Sequence, residues 1–187
     1  MTEEECIFNG QFFASEAPEL IEKKEKAHRL SQDYNNLYED QPEERSRVLH
    51  ELPDGIGEGT WMLGPIHFHY GCHTRAGEGC FMNFSFAVQD DARVTIGDHC
   101  SFAPNVTIVT PMPPCRAASA AAWSFKDGEA RFFVLCQARN HRQRLRFGAG
   151  SVVTRSIPAN FFAAGVPAPH PSAESHRSAS AEPERPH

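Results

Sequence analysis

The sequence predicts a mainly β chain: a left-handed parallel β-helix of hexapeptide repeats, preceded by a small helical domain. Three observations carry that reading. Residues 1–60 hold two amphipathic segments with helix start signals. Short β-type runs broken by Gly, Asp and Asn begin near residue 61, and bulky residues then recur every six positions.

The helical part comes first. Pro18 suits a first helical turn, and Leu20, Ala27, Leu30, Tyr34 and Leu37 follow near helical spacing with charges between them. A second start stands at Asp40-Gln41-Pro42-Glu43, a capping-box-like arrangement with Pro inside the first turn. Val48, Leu49 and Leu52 give this helix a face to bury before Pro53 and the Gly-rich stretch Gly55-Ile56-Gly57-Glu58-Gly59 end it. Two short amphipathic helices cannot bury their own faces, so they must lie on something larger.

The repeats supply it. Ala76, Met82, Val88 and Val94 are six apart; after a two-residue slip come Ile96, Phe102 and Ile108, with the small residues Cys100 and Val106 between. The clearest stretch runs from Ile96-Gly97-Asp98-His99-Cys100 to Val106-Thr107-Ile108, and the rhythm returns at Phe147 and Val153. Each hexad makes one short strand and a turn, with one bulky side chain pointing into a triangular prism, and three hexads complete a coil. The handedness of such coils runs against the usual right-handed crossover.

This divides the chain into a helical domain at 1–60, first coils at 61–112, an irregular segment at 113–146, a last coil at 147–167 and a tail at 168–187. The irregular segment opens on Met112-Pro113-Pro114-Cys115-Arg116, runs through Ala and Ser from Ala117 to Ala122, and ends on the Arg-rich stretch Arg139–Arg146. The tail is Ser, Pro, Glu and His, without the apolar content that offsets the entropy of ordering, so disorder is expected.

Composition narrows the function. A formal net charge of −6 argues against nucleic acid as a partner. No apolar run approaches the roughly 18 residues of a membrane span, and the acidic start Met1-Thr2-Glu3-Glu4-Glu5-Cys6 lacks the basic and apolar parts of a secretory signal, so the cytoplasm is expected. The six cysteines contain no C-x-x-C pair and read as buried thiols rather than disulfides or a zinc site. His67, His69 and His73 gather near Cys72. His67 and His69 alternate on one face of a strand, but no acidic ligand stands near them in sequence, so the set reads as cleft lining or surface and no metal is expected.

At this point the residues resemble the maltose/galactoside O-acetyltransferase family. Asn9-Gly10-Gln11-Phe12-Phe13 with Pro18-Glu19-Leu20 is similar to that family's opening helical domain. Tyr70-Gly71, Met82-Asn83-Phe84, Asp90-Asp91, Val94-Thr95-Ile96-Gly97-Asp98 and Phe102-Ala103-Pro104-Asn105-Val106 resemble its first coils in order and spacing, and the run from Gly148 to Pro167 resembles the end of its β-helix. The resemblance implies a homotrimer that transfers the acetyl group of acetyl-CoA to a sugar hydroxyl in a cleft between neighbouring β-helices. A histidine acts there as general base. It carries the active-site asparagine to Asn83, acceptor contacts to Asp91, Ser15 and His69, and the CoA groove to Ala149, Thr154 and Arg155.

The departures concern chemistry. The family's histidine is expected in a His-Pro pair after Thr110-Pro111-Met112, and Pro113-Pro114 stands there instead. The family's aspartate is Ser15 here, and the hexads expected between Cys136-Gln137-Ala138 and Phe147 are replaced by an Arg-rich aperiodic stretch. Loss of one base near residue 113 explains these facts together, turning His-Pro into Pro-Pro and shifting the frame; the tail after Pro167 reads as a second shift. His141 lies in the Arg-rich stretch without a framed loop to position it as a base. The implied acetyl transfer is therefore expected to be impaired, with a catalytically inactive repeat protein as the alternative.

Overall fold

The structure is a computed structural model that describes residues 1–9, 11, 13–110, 131–134, 146–154, 157 and 162–168. Three helices precede the strands: α1 (Glu3–Phe8), α2 (Pro18–Asn36) and α3 (Pro42–Glu51). Helix α1 starts on a capping box in which Thr2 and Glu5 satisfy each other's backbone N–H groups. Helices α2 and α3 both start on a proline at the first turn, where the missing N–H costs nothing. The cap foreseen at residues 40–43 does not form a side-chain bond to the helix; the Gln41 carboxamide instead accepts the Tyr38 N–H at 3.0 Å. Leu20, Ala27, Ser31 and Tyr34 form the buried stripe of α2, and Val48, Leu49 and Leu52 pack beneath α3.

Thirteen short strands among the described residues form three parallel faces of a left-handed β-helix. The first face stacks β1 (Gly55–Ile56), β4 (Thr74–Ala76), β7 (Arg93–Ile96) and β10 (Arg131–Val134). The second stacks β2 (Trp61–Met62), β5 (Phe81–Met82), β8 (Ser101–Phe102), β11 (Arg146–Phe147) and β13 (Phe162–Ala163). The third stacks β3 (Ile66–Phe68), β6 (Phe86–Gln89), β9 (Thr107–Val109) and β12 (Val152–Val153).

The register explains the slip in the rhythm. Ile56 pairs with Ala76 and Ala76 with Ile96, so a coil is twenty residues long, with two residues added to three hexads. The extra pair falls at the corner between the third and first faces, where Asp90 is fully buried. Its carboxylate accepts the Tyr70 N–H at 2.7 Å and the Thr74 hydroxyl at 2.7 Å, so the corner's own polar groups satisfy it. Inside the prism, Met62, Met82, Phe102, Phe147 and Ala163 form one column and Phe68, Val88, Ile108 and Val153 another, all buried. Phe102 and Phe147 stack with ring centroids 4.6 Å apart.

Two strands lie where the six-residue rhythm is silent. Strand β1 sits inside the stretch read as helical; a Cβ on Gly57 would run into the backbone of Gly77 and Glu78, so the glycines there serve close coil stacking as well as ending α3. Strand β10 lies within the irregular segment, where the β-favouring run Arg131-Phe132-Phe133-Val134 pairs in parallel with β7. The rest of 113–146 lies outside the described residues, as do 169–187, whereas Ala168 at the start of the expected tail is buried and donates its N–H to the Val152 carbonyl at 2.8 Å. Cys6, Cys80 and Cys100 are buried as read, but Cys72 is exposed. No helix among the described residues is long and apolar enough to cross a membrane.

Candidate active site

Topology sorts the expected site residues by corner. Asn83 stands in the turn between β5 and β6, and Ala149 in the turn between β11 and β12, so both occupy the corner joining the second and third faces. Asn105 of the intervening coil links them: its N–H donates to the Phe84 carbonyl, and the Gly150 N–H donates to the Pro104 carbonyl. His69, Asp91 and Thr154 occupy the other corner, after β3, β6 and β12. Arg155 and Pro113 lie outside the described residues.

At the first of these corners the Asn83 carboxamide oxygen accepts the Phe84 N–H at 2.8 Å, and Phe84 is half exposed. Ser85 beside it has φ of 58°, a left-handed turn that presents the loop outward. Ala149 is exposed, and a Cβ on neighbouring Gly150 would meet nothing within 4 Å. An open backbone edge of this kind fits a cofactor held mainly through main-chain atoms.

The other corner carries the charge. His69 Nε2 lies 3.9 Å from Asp91 Oδ1, and the Gln89 amide donates to Asp91 Oδ2 at 3.2 Å. Helix α2 closes over them: the His28 ring is 5.8 Å from the His69 ring, and the Lys24 ammonium donates to the Ser15 carbonyl at 2.8 Å while lying 6.0 Å from the Tyr70 ring. The Ser15 backbone carbonyl is thus tied to Lys24 of α2. Burial pushes the His69 pKa below the ordinary imidazole value; Asp91 works the other way, and the positive charges of Lys24 and neighbouring histidines reinforce the lowering. The net effect disfavours the charged form of the His69 ring.

Between α2 and the third face runs a groove of about 390 Å³, lined by His28, Asn35, His67, His69, Gln89 and Thr107 among others. Its mix of amide, imidazole and hydroxyl groups over the apolar edge of β3 and β6 suits a hydroxyl-rich small molecule. The sequence reading missed Gln89, His28 and Lys24. Gln89 is two residues before Asp91 and had a local signal, but no pattern ties positions on α2 to a corner more than forty residues away.

His73 parts from the other two histidines. It is buried, its Nδ1 lies 2.8 Å from the Asp90 carbonyl and its Nε2 2.9 Å from Glu4 Oε1. Glu4 also pairs with Lys23. Glu4, Cys72 and His73 bring ligand-type atoms within 4.8 Å of one another, the one such cluster among the described residues, but Lys23 already neutralises the carboxylate. Burial opposes the charged imidazole, yet Cys72, Glu4 and the Asp90 carbonyl outweigh it and push the His73 pKa up to about 9. Burial likewise pushes Asp90 up to about 6, against the Tyr70 N–H and the Thr74 hydroxyl.

Comparison with known proteins gives these corners a context. The model of the maltose acetyltransferase hexapeptide capping motif matches residues 8–52. The galactoside O-acetyltransferase of Escherichia coli is 31% identical over 177 residues, covering 87% of this chain and 85% of that protein. The chain belongs to the maltose/galactoside O-acetyltransferase family. A second member, the galactoside O-acetyltransferase of Lactococcus lactis, is 30% identical and covers 79% of this chain and 76% of its own length. Among solved structures of this O-acetyltransferase family, a galactoside acetyltransferase in complex with coenzyme A superimposes with a TM-score of 0.72 at 27% identity, covering 90% of this chain and 89% of that one. A maltose O-acetyltransferase from Clostridium difficile 630 gives 0.68 at 26%, covering 90% and 95%. Family members are acetyl-CoA-dependent O-acetyltransferases, and acetyl-CoA as co-substrate fits this membership.

Proposed function

We propose that this chain transfers the acetyl group of acetyl-CoA to a sugar hydroxyl, with chemistry weakened by the loss of the family's histidine at Pro113. The observation that carries the reading is the groove between α2 and the third face, lined in part by His69, whose Nε2 lies 3.9 Å from Asp91. Asp91, His69 and Ser15 contact the acceptor, Asn83 supports the reacting groups, and Ala149, Thr154 and Arg155 line the CoA path. The similar galactoside acetyltransferase bound to coenzyme A supports that cofactor assignment. The working form is a homotrimer in the cytoplasm, with each cleft completed by a neighbouring β-helix.

A positioned general base contributes roughly 10²–10⁴ in rate. Acetyl transfer to a panel of sugars is therefore expected at least about a hundredfold below that of histidine-bearing relatives measured alongside. A rate within tenfold of theirs overturns the impairment. Size measurement of the purified protein should give three copies.

A second reading has its own observation. The aperiodic text from Pro113 to Arg146, bounded by family-like sequence on both sides, supports a frame-shifted product that keeps the fold of its flanks and has at most a binding or assembly role. Resequencing the gene decides it: a His-Pro codon pair in another frame supports the shift, and a clean single frame coding this text sinks it.

A further inference from the structure

We propose that His69, oriented by Asp91, is the base that takes the acceptor hydroxyl's proton in this chain, in place of the histidine absent at Pro113. The inference rests on the acetyl-transfer reading above.

The geometry carries it. Asp91 faces the Nε2 side of the ring at 3.9 Å, which favours the tautomer with its proton on Nε2 and leaves the Nδ1 lone pair to act. Among the described residues no hydrogen bond occupies Nδ1. Catalytic hydrogen bonds without substrate are often long and tighten when it binds. The Gln89 amide holds the second Asp91 oxygen, so the carboxylate that orients the ring is itself oriented. His69 also lines the groove between α2 and the third face, so a hydroxyl bound there lies beside the ring. The same corner holds Thr110, whose hydroxyl accepts the Ala92 N–H beside Asp91.

The step balances simply. The acceptor oxygen attacks the thioester carbonyl carbon as Nδ1 takes the hydroxyl proton. The carbon–oxygen bond forms, the carbon–sulfur bond breaks, and the imidazolium returns the proton to the departing thiolate to give CoA and neutral His69. Neutrality beforehand is helped by the groups that face the ring: Lys24 and His28 from α2 and His73 from the next turn disfavour a second proton, against Asp91.

The test measures acetyl transfer and acetyl-CoA binding for the full-length protein and for His69→Ala, His69→Gln and Asp91→Asn, each first matched to the parent by circular dichroism. Both His69 variants should lose about a hundredfold in rate with acetyl-CoA affinity unchanged, Asp91→Asn about tenfold, and added imidazole should restore part of the His69→Ala rate. The parent's rate should rise with pH on one ionisation below the ordinary imidazole value, and His69→Gln should lose that ionisation. If the parent transfers acetyl groups and the His69 variants stay within threefold of it, this inference falls while the acetyl-transfer reading stands. If the parent binds acetyl-CoA but transfers nothing, His69 is no base and this inference also falls. If it neither binds nor transfers, the acetyl-transfer reading falls and takes the inference with it.

Discussion

Replacing His73 by Ala should destabilise the protein far more at pH 6 than at pH 10. Both ring nitrogens of His73 face acceptors, the Asp90 carbonyl at 2.8 Å and Glu4 Oε1 at 2.9 Å, so the ring is stable there only with two protons. Its pKa in the folded protein is pushed up to about 9 from an ordinary 6.5. A raised value of this kind contributes stability in full below pH 6.5, and that stability is lost as pH rises through about 9. At ~1.4 kcal/mol per unit the shift corresponds to roughly 3 kcal/mol, which partial exposure of Glu4 reduces to about 2. Stacking of the ring on Tyr70 at 4.6 Å and its edge contact with Phe8 at 4.9 Å add about 1 kcal/mol that does not depend on pH. Urea unfolding followed by circular dichroism should give a cost of about 3 kcal/mol at pH 6 and about 1 at pH 10. Lys23 is common to both proteins and cancels in the difference. Equal costs at the two pH values would refute the charged latch between α1 and the solenoid.

Three further outcomes follow from the packing. Asp90→Asn should cost more at pH 4 than at pH 8, because the buried Asp90, with its pKa raised to about 6, contributes stability below its unfolded value that is lost as pH rises through 6; a pH-independent cost in urea titrations contradicts this. Phe102→Ala removes a fully buried ring between Met82 and Phe147 and should cost about 3–5 kcal/mol, read as a lower urea midpoint with no change in slope. Arg45→Ala removes the buried guanidinium that donates to the Tyr34 hydroxyl and to the Met62 and Leu63 carbonyls, and should cost about 2–4 kcal/mol while loosening α3 in hydrogen exchange before the solenoid strands exchange.

Most of the prism was legible because its cause is local. One bulky residue per hexad must point inward, so Ala76, Met82, Val88, Ile96, Phe102 and Ile108 reveal themselves by spacing alone, and all are buried. The slip was visible and read between Val94 and Ile96, but its place at the Asp90 corner was not, because Asp90 is held there by Tyr70 and Thr74 of the preceding coil. Strand β10 has no six-residue neighbour to announce it and depends on pairing with β7 across the interrupted segment. The site was legible only as far as resemblance carried it. His69 and Asp91 were singled out separately; their approach, the closing of α2 by Lys24 and His28, and the reach of Glu4 to His73 all arise from coil stacking and helix docking.

The fold and the chemistry of this chain have different tolerances. In a stacked solenoid each coil contacts its neighbours only, so stability is close to a sum over coils and interfaces. Among the described residues the columns on both sides of the irregular segment remain joined: Phe102 stacks on Phe147, and Thr107 and Ile108 pair with Val152 and Val153. Catalysis has no such additivity, since a base must lie within hydrogen-bond reach of one proton. The Thr110 hydroxyl holds the corner next to Asp91, accepting the Ala92 N–H and donating to the Gln89 carbonyl. Family membership, written in the columns, is for that reason silent about rate. The rate depends on one corner, and among the described residues there His69, which also lines the groove, forms a histidine–carboxylate pair with Asp91.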